Sequence, residues 1–312
     1  MKSAVVEHSI DYAATASLGM EAFASPHVVF DPDHLRWFYN DAFSLGTKVI
    51  ALENDGQKVG QIAVVRQKLR IDGVDHVAGQ LCDLFITKPH RSKKSMAMLY
   101  DEVERQFEAE GIRFGLGMPN EKAIRVNEHF FKLKPYLRMQ IRLGISPTAM
   151  FREANLTTPF DPYHRDDILK LLQPYATAPT ENGLPWDAEG LFKRLLGRKF
   201  RYAFHTSDYG LLISSPRVSR SVGYTCLAGF FPKTGKKLSS SQARKLTADA
   251  CAYWRQPLFA YAGLNGAVER LPGFCLPDRA RPSPMLLQMR DFTPTQAPVR
   301  LDRFQLLDFD FA

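Results

Sequence analysis

The chain has 312 residues, 45% of them hydrophobic and 24% charged, a balance that excludes a disordered or fibrous protein. That length exceeds what a single core usually reaches, so two domains are expected. A formal charge of +8 and a pI near 9.3 favour anionic partners, whether nucleic acid, an acidic membrane surface or a phosphorylated cofactor.

Glu7, His8 and Asp11 interrupt the apolar start too early for a secretory signal. No apolar run reaches the roughly 18 residues a spanning helix needs, so no membrane insertion and a cytoplasmic location are expected. Cys82, Cys226, Cys251 and Cys275 are scattered, without a CxxC pair or a histidine at metal spacing. They read as reduced, mostly buried thiols, and no metal site is expected.

In chain order, Ile10, Ala14, Leu18 and Phe23 recur at helical spacing over residues 9–23, and a second helix is expected over 33–43. Residues 48–52 and 58–67 are β-branched-rich runs around Asp55-Gly56, a pair suited to a tight hairpin. A further hairpin turns at Asp72-Gly73 into a strand through 80–86. After Lys88-Pro89 the period changes: Met96, Leu99, Val103 and Phe107 line one face of a helix ending at Gly111. A strand over 112–116 and a helix through Phe131 follow.

Residues 147–162 are rich in proline and threonine, and the domain junction is placed there, giving domains 1–150 and 151–312. The second half restarts with a helix over 165–172, strands over 202–205, 210–214 and 222–231, and a helix over 239–254. Spacing repeats too: Pro89 and Pro232 each precede a Lys-Lys pair, Lys93-Lys94 and Lys236-Lys237. Asn120 and Asn265 each lie six residues past a phenylalanine. The expected class is therefore α/β, with two sequential halves on one plan.

The segment 88–95, a basic loop between a strand and a helix, suits phosphate, because a helix N-terminus offers unpaired N–H groups and positive dipole. Asp83 interrupts an otherwise apolar strand and faces either a cleft, where burial would make it a base, or solvent. His129 has an unperturbed pKa suited to proton transfer, or is simply an exposed helix histidine. Tyr136, Tyr100 and Glu121 are reserves. Lys193, Arg194, Arg198, Lys199, Arg201, Arg279, Arg281 and Arg290 are expected to form a solvated basic face, with a carrier-protein or RNA surface as the other reading.

Residues 85–99 together with 114–120 resemble the coenzyme A-binding region of the GNAT superfamily of acyltransferases. The resemblance covers about residues 9–143 and, more weakly, the second half. It implies two tandem GNAT-like domains, each a mixed twisted sheet flanked by helices, akin to the double-domain branch that includes Fem-type aminoacyl transferases. Segment 33–39 looks like the aromatic helix found early in such proteins.

It also implies a donor site: a strand that parts from its neighbour along Leu84, Phe85 and Ile86, and a pyrophosphate loop of Arg91, Ser92, Lys93, Lys94, Ser95 and Met96. Arg91 matches the residue that opens that loop, Leu99 the apolar residue after it, and Asn120 the asparagine facing the thioester. Asp83, His129 and Asn120 are the candidate catalytic residues. Where the family favours glycine this chain has Ser92, Lys94 and Met96, which restricts backbone approach. The second loop keeps Gly235. At the family's usual tyrosine acid stand His129, Phe130 and Phe131.

The implied function is N-acyl transfer from acetyl-CoA, a longer acyl-CoA or a carrier thioester to a small-molecule amine. An acyl carrier protein and aminoacyl-tRNA are alternative donors, and a non-catalytic scaffold is the alternative from another class.

Overall fold

A computed structural model describes residues 1–23, 30–147, 154, 156–175, 181–197, 200–281, 284–293 and 299–309. The chain runs β1 (Lys2–Glu7), α1 (Tyr12–Phe23), α2 (Pro32–Asn40), β2 (Thr47–Asn54), β3 (Gln57–Ile71), β4 (Val74–Ile86), α3 (Lys93–Glu110), β5 (Phe114–Gly117), α4 (Glu121–Phe131), β6 (Lys134–Arg138) and β7 (Gln140–Ile145). It continues through β8 (Thr157–Pro159), α5 (Arg165–Leu172), α6 (Ala188–Leu195), β9 (Ala203–Thr206), β10 (Gly210–Ser219), β11 (Val222–Pro232), α7 (Ser240–Trp254), β12 (Leu258–Asn265), β13 (Phe274–Cys275), β14 (Leu286–Asp291) and β15 (Arg303–Gln305).

Local chemistry sets the expected boundaries. Asp55-Gly56 and Asp72-Gly73 all take positive φ, as two-residue hairpin turns require. Ser92 caps α3 by accepting from the Ser95 N–H, and Gly111 ends it at φ 62°. The apolar face of α3 is buried through Leu99, Tyr100, Val103 and Phe107 against Ile62 and Val64 of β3 and Leu81 of β4.

Two compact units result. The first comprises Met1–Leu69, Asp75–Arg138 and Ser283–Pro298, and its sheet has the order β1-β2-β3-β4-β5-β14-β6. The second comprises Arg70–Val74, Met139–Pro282 and Val299–Ala312, with the order β13-β7-β12-β11-β10-β9-β8 and β15 also on β12. Each sheet has a parallel pair, β4 with β5 and β11 with β12.

This division differs from the cut expected at residue 150. Each half of the chain supplies one strand to the other's sheet: β7 lies between β13 and β12, and β14 lies between β5 and β6. Leu286, Leu287, Gln288 and Met289 are buried there. Arg113 grips Asp291 with both arms, at 3.2 and 3.1 Å, while Arg290 donates to Glu104 at 2.6 Å and stacks 4.0 Å over the Phe292 ring. Period and turn residues mark a strand, but they do not say which sheet receives it.

The expected basic face is part solvated and part structural: Lys193, Arg201 and Arg279 are exposed, while Arg194, Arg281 and Arg290 are bound within the fold. Arg194 is fully buried and donates to the carbonyls of Leu307 and Phe309. Arg281 donates to the Met139 carbonyl at 2.8 Å, and Arg290 is the anchor just described. Arg198 and Lys199 lie outside the described residues. Among the described residues no helix is long and apolar enough to cross a membrane. Cys226 and Cys251 are buried, Cys82 is half-buried and Cys275 exposed.

His205 of β9 is fully buried, with Nδ1 2.8 Å from Thr157 Oγ1 and Nε2 2.7 Å from Ser214 Oγ. Burial pushes its pKa down to about 3. The folded-state value lies below the unfolded one of about 6.5, so the stabilisation is complete above that pH and is lost as pH falls toward 3, by about 1.4 kcal/mol per pH unit. The wild-type chain should therefore lose about 2 kcal/mol more between pH 6.5 and 4.5 than His205→Gln does. Urea unfolding of both proteins at the two pH values measures this, and equal losses would refute it.

Candidate donor and acceptor site

β5 is a four-residue strand, and Pro119 soon after it has no N–H for a ladder. Its parallel pairing with β4 runs from Ala78 opposite Phe114 to Leu81 opposite Gly117 and stops. β4 continues to Ile86, held on its other side where the Thr87 N–H donates to the Val59 carbonyl at 2.9 Å. Among the described residues no strand lies along the β5-facing edge of residues 82–86. A strand edge without a neighbouring strand is a place where an extended amide chain can pair.

Asp83 stands in this stretch at φ 47°, in the left-handed region, where a residue with a short polar side chain is tolerated at a cost of about 1 kcal/mol. Its carboxylate turns toward α2: Tyr39 Oη donates to Asp83 Oδ2 at 2.7 Å, and Gln61 Nε2 of β3 donates to Tyr39 Oη at 3.0 Å. The half-buried Asp83 thus takes neither expected direction in simple form. Burial first, and the Asp83 charge second, push the Tyr39 pKa well above its ordinary value, so the phenol stays a donor.

Tyr39 is placed by α2, whose N-terminus is fixed by Asp31 accepting from the Asp33 N–H, with Pro32 at the first position. Leu35, Phe38 and Tyr39 are buried. The sequence signal for this group was the aromatic helix itself and a glutamine within the apolar run of β3. Neither suggested that the two meet at Asp83.

Beyond β4 the loop closes on itself. Arg91 Nε donates to the Ile86 carbonyl at 2.7 Å, and its guanidinium also reaches the Ala22 carbonyl at the end of α1. Ser95 is buried; its Oγ donates to the His90 carbonyl at 2.8 Å, and Lys2 Nζ lies 3.1 Å from both groups. Ser92, Lys93 and Lys94 are exposed at the start of α3, where the first N–H groups have no intrahelical acceptor. Met96 is half-buried against the core. Leu84 is half-buried beside the opening, while Phe85 and Ile86 are buried, Phe85 against Phe23 and Phe30.

Asn120 is the N-cap of α4; its Oδ1 accepts from the N–H groups of Lys122 and Ala123 at 3.1 and 3.0 Å, and the residue is exposed. His129 lies in the last turn of α4, exposed and edge-on to Phe130 at 4.7 Å. At about 1.5 Å per residue it is about 13 Å along the helix from the Asn120 cap, at the end away from β5. Tyr100 is buried and donates to Asn127 Oδ1 at 2.6 Å, and Asn127 Nδ2 donates to Gln288 Oε1 at 3.1 Å. These join α3, α4 and β14. Glu121 is exposed at the start of α4, and Tyr136 is half-buried on β6.

In the second unit the corresponding pair, β11 and β12, runs from Thr225 opposite Phe259 to Leu227 opposite Tyr261, and β15 then pairs with β12. Gly235 sits in a turn at φ 74°, with the Lys236 N–H donating to the Lys233 carbonyl at 2.8 Å. Asn265 ends β12 with its Nδ2 3.0 Å from the Phe230 carbonyl, so the two asparagines matched by spacing have different surroundings.

No family model and no curated protein matches the chain. Solved structures do. A probable N-acyltransferase of unknown function from Enterococcus faecalis is 11% identical, with TM-score 0.63 over 93% of this chain and 73% of that one. A GCN5-related N-acetyltransferase from Anabaena variabilis is 11% identical, with TM-score 0.59 over 93% and 73%. Eis1 from Mycobacterium abscessus is 10% identical, with TM-score 0.55 over 93% and 72%. The chain therefore has the mixed α/β fold of the GCN5-related N-acetyltransferases, as the sequence resemblance implied.

Replacing Tyr39 by Phe removes the donor to Asp83 and leaves the buried Gln61 amide without its acceptor. A loss of about 1–3 kcal/mol is expected. Denaturant unfolding of the full chain measures it; an unchanged midpoint would mean the group contributes nothing to holding Asp83.

Proposed function

We propose that the chain is an N-acyltransferase whose thioester donor lies in the first unit between β4 and β5, and whose amine acceptor gives its proton to Asp83. The observation that carries this reading is a carboxylate held by a buried tyrosine within the stretch of β4 that has outrun its parallel partner. Acetyl-CoA or a longer acyl-CoA is the donor class in this reading. The fold shared with N-acetyltransferases supports it.

An extended pantetheine arm pairs its amides with the β5-facing edge of β4 past Leu81, and its pyrophosphate meets the start of α3 beside Lys93 and Lys94. The amine attacks the thioester carbonyl, the carbonyl oxygen takes the negative charge, and the proton passes to the Asp83 carboxylate. Collapse of the intermediate breaks the C–S bond and releases the thiolate. Tyr39 donates to Asp83 and sets its rotamer. His129, at the other end of α4, has no part in this scheme, and Asn120 contributes by fixing the start of that helix.

One observation favours the scaffold reading. Arg91 spends its guanidinium on the carbonyls of Ile86 and Ala22 and Ser95 its hydroxyl on that of His90, and no glycine opens the backbone at Ser92, Lys94 or Met96. Calorimetry with coenzyme A separates the two readings, because a scaffold gives no binding heat. For the transferase, thiol release from acyl-CoA over an amine panel should fall about 10²- to 10⁴-fold in kcat for Asp83→Asn, with donor affinity retained. Undiminished turnover in that variant would remove Asp83 as the base.

A further inference from the structure

The second unit has the same parting of parallel strands, and there the gap is filled. Past Leu227 opposite Tyr261, the β10–β11 register shifts, with Ile213 opposite Gly229 and Ser214 opposite Leu227. Phe230 follows on β11, and its backbone meets the side chain of Gln305. The Phe230 N–H donates to Gln305 Oε1 at 3.1 Å, and Gln305 Nε2 donates back to the Phe230 carbonyl at 3.3 Å. Tyr261 Oη and Asn265 Nδ2 lie 3.4 and 3.3 Å from the same Oε1. The backbone of β15 meanwhile pairs with β12, Gly263 opposite Gln305 through Asn265 opposite Arg303. An amide that both accepts from and donates to one residue's backbone satisfies the strand edge as an extended amide ligand would.

The cradle is shaped for this side chain. A Cβ on Gly229 would stand 2.9 Å from Gln305 Nε2. Gly263, at φ 144°, would place one 2.5 Å from the Phe304 carbonyl oxygen and 2.8 Å from Gln305 Cα. The segment is also pinned by buried polar bonds. Trp186 Nε1 donates to Asp308 Oδ1 at 2.6 Å, the Gln305 N–H donates to Asp308 Oδ2 at 2.7 Å, and Arg303 donates to the Leu184 carbonyl at 2.8 Å. Gln305, Arg303 and Asp308 are essentially unexposed.

We propose that the second unit is a closed copy of the first, in which the chain's own Gln305 takes the place of a donor's amide arm, so that each chain holds one donor and holds it in the first unit. The donor assignment rests on the function proposed above; the occupation of the second gap does not.

Calorimetric titration of the full chain with coenzyme A, followed by hydrogen exchange of the complex, tests both parts. One equivalent with protection confined to residues 82–96 is expected. Two equivalents, or protection over 226–237, would overturn the proposal. If no heat appears, the transferase reading fails on its own, and the plug is judged by exchange in the free protein: Gln305→Ala should speed the Phe230 amide at least about tenfold while peptides of the first unit keep their rates. Gly229→Ala, which pushes on Gln305 without removing it, should raise the same rate and serves if Gln305→Ala does not fold. Unaltered exchange at Phe230 in the folded variants would show that Gln305 does not close the gap.

Discussion

Two parallel strands that part after a few residues leave backbone N–H and C=O groups which must find partners, and the rest of the molecule is arranged around that demand. In the first unit the pairing of β4 with β5 ends at Leu81 and Gly117, and among the described residues no strand lies along the β5-facing edge of residues 82–86. In the second the pairing of β11 with β12 ends at Leu227 and Tyr261, and Gln305 with β15 supplies the missing partners. A buried unpaired peptide group costs about as much as a lost hydrogen bond, so an interior gap of this kind is either filled by the chain or kept for a ligand. In the function proposed above, one chain contains both solutions.

Asp83 belongs to the same constraint. A strand that must leave its neighbour has to break its pleat, and a residue at φ 47° does so while turning the carboxylate toward Tyr39. The tyrosine answers with a hydroxyl that burial keeps protonated, and Gln61 fills the tyrosine's remaining lone-pair direction from β3. The backbone irregularity and the held carboxylate are thus one feature. A plain strand at this position would alternate its side chains without reaching α2.

The elements were legible where the signal is local. Asp-Gly turns, the 3.6 period of α3 and its ends at Ser92 and Gly111 need only neighbours a few residues away. The loop at Arg91 stood out as a basic run between a strand and a helix, and Asp83 as a charge in an apolar strand. What sequence could not supply was pairing across long separations. Gln288 reaches Asn127 across 161 positions and Gln305 reaches Phe230 across 75, and in the sequence each is an ordinary polar residue in a short apolar run. Arg194 misled in the opposite way: a charged residue is read as solvated unless its partners are known, and its partners are backbone carbonyls more than a hundred residues downstream.

The placement of β7 and β14 makes each half of the chain depend on the other. A cut at residue 150 would leave the first unit without the strand that lies between β5 and β6, and with it the Arg113–Asp291 and Arg290–Glu104 pairs. It would equally leave the second sheet without β7, the strand on which both β12 and β13 pair. Neither sheet can be completed from one continuous half, so neither half is dispensable to the other's sheet. The segment that carries Gln305 into the second sheet follows directly on β14, the strand that completes the first, so one stretch of chain finishes both sheets.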